Sequence, residues 1–183
     1  VLAIMAAMNI FNMIDGMDSV LATVSMTIFI TLAGLFHLSG NVFYFTISLS
    51  LFLIMSSFLM FNVLPISKFR YKAFMGDAGS MFVGLIIIWL LIEGSQGVHG
   101  KQAFSPVLAL FLIALPLMDM VAIIFRRIYR NTSPFRADHQ HIHHILVQSG
   151  HSTVKSKFII PCLSLMGISI GLLLNYNLNT WMF

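Results

Sequence analysis

Six stretches of nearly unbroken apolar sequence constrain this chain most: residues 1–14, 19–38, 42–64, 78–92, 104–125 and 158–174. A helix rises about 1.5 Å per residue and the hydrocarbon core of a bilayer is about 30 Å thick, so about 20 apolar residues cross it. The second, third and fifth stretches have 20, 23 and 22 residues, enough to cross with some tilt. The fourth and sixth, with 15 and 17, need help from their flanks. None alternates apolar with polar residues as a barrel wall would. Composition agrees. Of 183 residues 58% are apolar and 9% charged, against roughly 45–50% and about 25% in soluble domains. Mean hydropathy is +0.93. A water-soluble globular domain, a disordered chain and a nucleic-acid-binding module are excluded, although the pI is near 9.5. The expected fold is all-α: a polytopic transmembrane helix bundle of five to six spans, one domain over residues 1–183. Cys162 lies in an apolar run, which excludes a disulfide framework. The chain opens at Val1 inside an apolar stretch, without a signal-peptide n-region or a start methionine, and reads as a fragment.

The polar segments sort by side. If each stretch crosses once, 15–18, 65–77 and 131–157 fall on one side, and 39–41, 93–103 and the tail from 175 on the other. Nine of the ten Lys and Arg lie on the first side and only Lys101 on the second. The positive-inside rule makes the first side cytoplasmic, with loops at 15–18, 65–77 and 126–157. The same side carries Asp15, Asp18, Asp77 and Asp138 and five of the seven His; only Asp119 lies within a stretch. The ionisable chemistry is expected on one membrane face.

Three constellations carry chemical content. In Asn9-Ile-Phe-Asn12-Met-Ile-Asp15-Gly16-Met-Asp18 the amides recur at helical spacing and the two acids are i,i+3 neighbours. Amide and carboxylate oxygens are hard ligands suited to Mg²⁺; helix capping with solvated acids is the plainer alternative. In Phe74-Met-Gly76-Asp77-Ala-Gly79-Ser80, glycines allow close backbone approach and a helix start attracts phosphate, with a cation needed between phosphate and Asp77. Here the alternative is a turn with Asp77 as N-cap. The third is Arg126-Arg127-Ile-Tyr-Arg130 followed by Arg136, Asp138, His139, His141, His143 and His144. Arginines at a cytoplasmic helix end are ordinary topology signals. The His cluster lacks the zinc-hydrolase pattern and, mixed with Arg opposite two acidic loops, suits an anionic substrate. Asp119, seven residues before Arg126 and nearly on its face, should point into the protein or a watery cavity, since an acid in lipid is costly. Asn62, beside Pro65 at a helix end, completes the candidates.

Taken in order, these segments resemble the polyprenyl-phosphate N-acetylhexosamine-1-phosphate transferase family. Arg70-Tyr-Lys-Ala-Phe-Met-Gly-Asp-Ala-Gly-Ser80, Pro116-Leu-Met-Asp-Met-Val-Ala-Ile123 and Gln140-His-Ile-His-His144 add to the likeness, which covers nearly the whole chain. His139 stands where relatives often carry Arg, and Ser19 where they often carry Gly. The resemblance implies transfer of GlcNAc-1-phosphate from UDP-GlcNAc to undecaprenyl phosphate, releasing UMP, to initiate lipid-linked O-antigen or enterobacterial common antigen. It implies Mg²⁺, with Mn²⁺ as a substitute, on Asn12 and Asp77. Asp15, Asp77, His141, His143 and His144 are the expected catalytic residues, Asp15 as a catalytic-site acid, with an Asp acting as base or as covalent nucleophile. Asp18, Asn62, Phe74 and Arg136 are the expected substrate-binding set, with Phe74 stacking on uracil and Asp18 hydrogen-bonding it. The implied location is the bacterial inner membrane with a cytoplasmic site, membrane lipid as surroundings, no nucleic acid as partner, and a homodimer as the assembly to test. Family members begin with further spans, including a loop with adjacent aspartates, so this C-terminal portion is expected to hold part of the site. A cation-coupled secondary transporter is the rival, from Asp119 within a span and the short spans; acids gathered at one face and the lack of an internal repeat speak against it.

Overall fold

The computed structural model describes residues 2–14, 20–63, 73–97, 101–131, 145–146, 149 and 152–181. Among these, the regular elements are helices: α1 (Leu2–Ile14), α2 (Val20–Leu38), α3 (Val42–Val63), α4 (Gly76–Gln96), α5 (Pro106–Leu112), α6 (Ala114–Tyr129) and α7 (Thr153–Trp181). α2, α3, α4 and α7 are each long and apolar enough to cross a membrane, and α5 with α6 makes a fifth if the bent pair is one span. The protein is an all-α polytopic bundle. The flanks supply what the short stretches lacked. α4 reaches 21 residues by adding Gly76-Asp77 and Glu93–Gln96, and α7 runs for 29.

The fifth stretch departs from expectation. It is two helices bent by 72° at Ile113. Pro116 has no N–H for the Leu112 carbonyl, and its ring crowds that carbonyl, so a continuous α-helix is disfavoured there. Pro161 leaves α7 unbroken, so packing also sets the bend: Leu108 and Phe111 of α5 lie against Gly171 of α7, while α6 turns to contact α1.

α2 is the centre of the bundle. Leu21, Val24, Ile28, Phe29, Leu32 and Phe36 are buried around it, and α3, α4 and α7 pack on it. α3 exposes Leu53, Ile54, Met60 and Phe61, as lipid permits. α1 reaches α4 through Gly84: a Cβ there would lie 3.1 Å from Phe11 Cβ and 3.2 Å from Met8 Cα. Association in lipid relies on such close approach, because tails are as apolar as side chains and offer no hydrophobic drive.

The contacts sort the helix ends. At one end, Phe36 of α2 lies 5.2 Å from Tyr44 of α3 and 6.0 Å from Phe104, ring centre to ring centre. Tyr44 lies 5.7 Å from Trp89 of α4, and Asn175 of α7 accepts the Ser105 N–H at 3.3 Å. At the other end, Asn12 in the last turn of α1 bonds Ser80 of α4, and Asn62 in the last turn of α3 bonds Ala73 just before α4.

Candidate functional site

The site grows from the α1–α4 contact. Close packing at Gly84 brings the last turn of α1 beside the first turn of α4, and there one buried hydroxyl joins them. Ser80 Oγ donates to Asn12 Oδ1 at 2.5 Å and lies 3.0 Å from the Asp77 carbonyl oxygen. Ser80 is fully buried, Asn12 half-buried and Asp77 exposed. The amide of Asn12 is thus oriented by Ser80 and retains a second lone pair on Oδ1. Spacing along either motif gave no signal for this bond, since Asn12 and Ser80 are 68 positions apart; Ser80 was legible only as the last residue of its motif.

The turn before α4 has its own logic. Gly76 has φ +70°, a left-handed conformation that a side chain would strain. The N-cap of α4 is Met75, which supplies no side-chain hydrogen bond, and Asp77 stands one residue inside the helix. The alternative in which Asp77 is the N-cap is therefore corrected: its carboxylate is not spent on capping. It does sit in the first turn, where the helix dipole favours negative charge. Phe74 is 84% exposed, and its Cε1 would lie 3.7 Å from a Cβ on Gly76. The ring therefore lies across the turn. A bare aromatic at a polar helix end gains nothing from packing and is available for stacking. Asn62, in the last turn of α3, accepts the Ala73 N–H on its Oδ1 at 2.8 Å.

Asn12 and Asp77 supply one amide and one carboxylate oxygen. That donor chemistry fits Mg²⁺, which takes one or two protein carboxylates and fills its octahedron with waters and substrate phosphates. Among the described residues no three His, Cys, Asp or Glu form a metal-binding group. Asp15, Asp18, Arg136, His139, His141, His143 and His144 lie outside the described residues. Asp119 is buried, as expected of an acid within a span, on the face of α6 that also buries Pro116, Ile123 and Arg127; Arg126 is half-buried beside them.

The family model described as Glycosyl transferase family 4 matches residues 1–95, just over half of the chain. The chain belongs to glycosyl transferase family 4. Within the family, it is 38% identical over 175 residues to the Escherichia coli K12 protein named undecaprenyl-phosphate alpha-N-acetylglucosaminyl 1-phosphate transferase, a match that covers 96% of this chain and 47% of that protein. Proteins of the same name are 36% identical over 173 residues in Yersinia pestis, covering 93% of this chain and 46% of that protein, and 43% identical over 126 residues in Haemophilus influenzae, covering 68% and 35%. The chain spans about half the length of the E. coli and Yersinia relatives. No solved structure matches it. The family 4 membership leaves the secondary-transporter reading without support. Together with the apolar helices it identifies a membrane protein of a transferase family.

Proposed function

We propose that this chain is part of a transferase that moves GlcNAc-1-phosphate from UDP-GlcNAc to undecaprenyl phosphate, releasing UMP, at the cytoplasmic face of a bacterial inner membrane. The observation that carries the reading is the Ser80 hydroxyl joining Asn12 of α1 to the first turn of α4, in which Asp77 is exposed three residues after the exposed Phe74. The relatives' names support the choice of lipid acceptor and sugar.

In the proposed step an oxygen of the lipid phosphate forms a bond to the β-phosphorus of the nucleotide sugar. The bond from that phosphorus to the bridging oxygen breaks, and the oxygen leaves with its electron pair on UMP. Asn12 and Asp77 would hold Mg²⁺, or Mn²⁺ in its place, which when bound neutralises charge on the pyrophosphate. Phe74 stacks on the uracil, with Asp18 hydrogen-bonding its edge. Asp15 serves at the lipid phosphate. Arg136, His141, His143 and His144 give hydrogen bonds or positive charge to sugar and pyrophosphate, a role open to imidazole because it titrates near neutral pH.

The test is an assay of membranes carrying the complete gene with radiolabelled UDP-GlcNAc. The reading expects label in an organic-extractable lipid and equimolar UMP, and no label in lipid once EDTA is added. Label accumulating inside sealed vesicles without lipid product would sink it.

A further inference from the structure

Asn62 hydrogen-bonds across eleven positions of sequence to the backbone N–H of Ala73 at 2.8 Å. Ala73 immediately precedes Phe74, and residues 73–75 are not helical, so no helical ladder sets the backbone there. The Phe74 ring is exposed and rests across Gly76, whose left-handed φ belongs to the same short turn. An exposed aromatic offers a stacking face only if the backbone that carries it is held; otherwise its ordering is charged against ligand binding. The last turn of α3 is the place from which it is held, on a helix packed along α2.

We propose that Asn62 is a positioning residue for Phe74: its side-chain carbonyl, anchored on α3, fixes the peptide before the ring and presets the stacking platform, rather than touching the nucleotide. The inference rests on the reading of Phe74 as the uracil platform and adds how the platform is held. The bond in question uses Asn62 only as an acceptor. A direct contact made by its NH₂ group has the opposite requirement, and this separates the two roles.

The experiment measures steady-state kinetics of the complete membrane-embedded transferase against UDP-GlcNAc for Asn62→Asp, Asn62→Leu, Phe74→Ala and the Asn62→Leu/Phe74→Ala double variant. Each is first checked by fluorescence-detected size exclusion for normal insertion. Asn62→Asp keeps an acceptor for Ala73 and loses the NH₂; Asn62→Leu loses both. The expected result is that Asn62→Leu raises KM roughly fivefold to tenfold, about the worth of one hydrogen bond, with kcat little changed, while Asn62→Asp, which keeps the acceptor, recovers most of that rise. In the Phe74→Ala background Asn62→Leu should add nothing, the signature of action through one shared group. Asn62→Asp as damaging as Asn62→Leu, or single effects that multiply in the double variant, would overturn the positioning role while leaving the platform intact. A parental KM for Phe74→Ala overturns the platform reading itself, and the positioning role with it.

Discussion

Asp77 shows how much one side chain's place in a turn decides. Standing one residue inside α4, with Met75 as the N-cap, its carboxylate is exposed and uncommitted to capping. Asp77→Asn keeps size and helix position and removes the charge that a hard cation needs. In the complete enzyme we expect the protein to remain in the membrane at normal level and Mg²⁺-dependent transfer to fall at least ~100-fold, since a metal's charge stabilisation is worth several kcal/mol. Near-parental turnover at ordinary Mg²⁺ would reduce Asp77 to a charge on a helix dipole. Asn12 is coupled to it through Ser80, whose hydroxyl bonds the Asn12 amide oxygen and the Asp77 backbone carbonyl. Ser80→Ala leaves the Asn12 carbonyl without its buried donor. About 1 kcal/mol of stability should go with that bond, and the Mg²⁺ concentration giving half-maximal activity should rise while saturating activity largely survives. An unchanged Mg²⁺ requirement would mean that Ser80 does not orient a ligand.

At the scale of helices, the site depends on how closely α1 approaches α4. Gly84 sets that distance, because a side chain there meets Phe11 Cβ and the Met8 backbone rather than a flexible tip. Gly84→Val should push the helices apart, costing about 1–3 kcal/mol as overpacking does, and break the Asn12–Ser80 bond. The expected readout is a lower thermal midpoint in detergent together with lost activity; a parental midpoint would show that the contact is loose. The α5–α6 bend is the second element-level feature. Pro116→Ala restores the N–H for the Leu112 carbonyl. Spin labels placed at Val107 and Val121, both exposed, should move apart if proline holds the bend. An unchanged separation would assign the bend to packing on α7 and α1 alone.

For the molecule as a whole, the expected orientation rests on the nine-to-one division of Lys and Arg between the sides. Ser95 looks like a natural reporter in the segment following α4's apolar stretch, but it is only 7% exposed, whereas Lys101 and Arg130 are exposed. In a Cys162→Ser background, Lys101→Cys should react with an impermeant maleimide added to intact cells, and Arg130→Cys should react only after permeabilisation. The reverse pattern would invert the membrane orientation and place the acidic motifs outside the cytoplasm.

Hydropathy averaged over about 20 residues is a local quantity, and lipid leaves the backbone little choice but to satisfy itself within each helix. The positions of α2, α3, α4 and α7 and the all-α class were therefore legible from residue order alone. The motif around Phe74 and Asp77 was legible for a similar reason, since its glycines and acid lie within one turn. What lies between distant segments was not. The fifth stretch carries Pro116, which disfavours a straight helix, but residue order gives no measure of the 72° bend at Ile113, because the angle also depends on which helices receive Leu108 and Phe111. Asn62 was legible as a polar helix end but not as the partner of Ala73. Ser80 was legible as a motif residue but not as the donor to Asn12, 68 positions away. Those bonds exist only because packing at Gly84 and along α2 brings chain segments within 3 Å, and no periodicity encodes a distance between side chains on different helices.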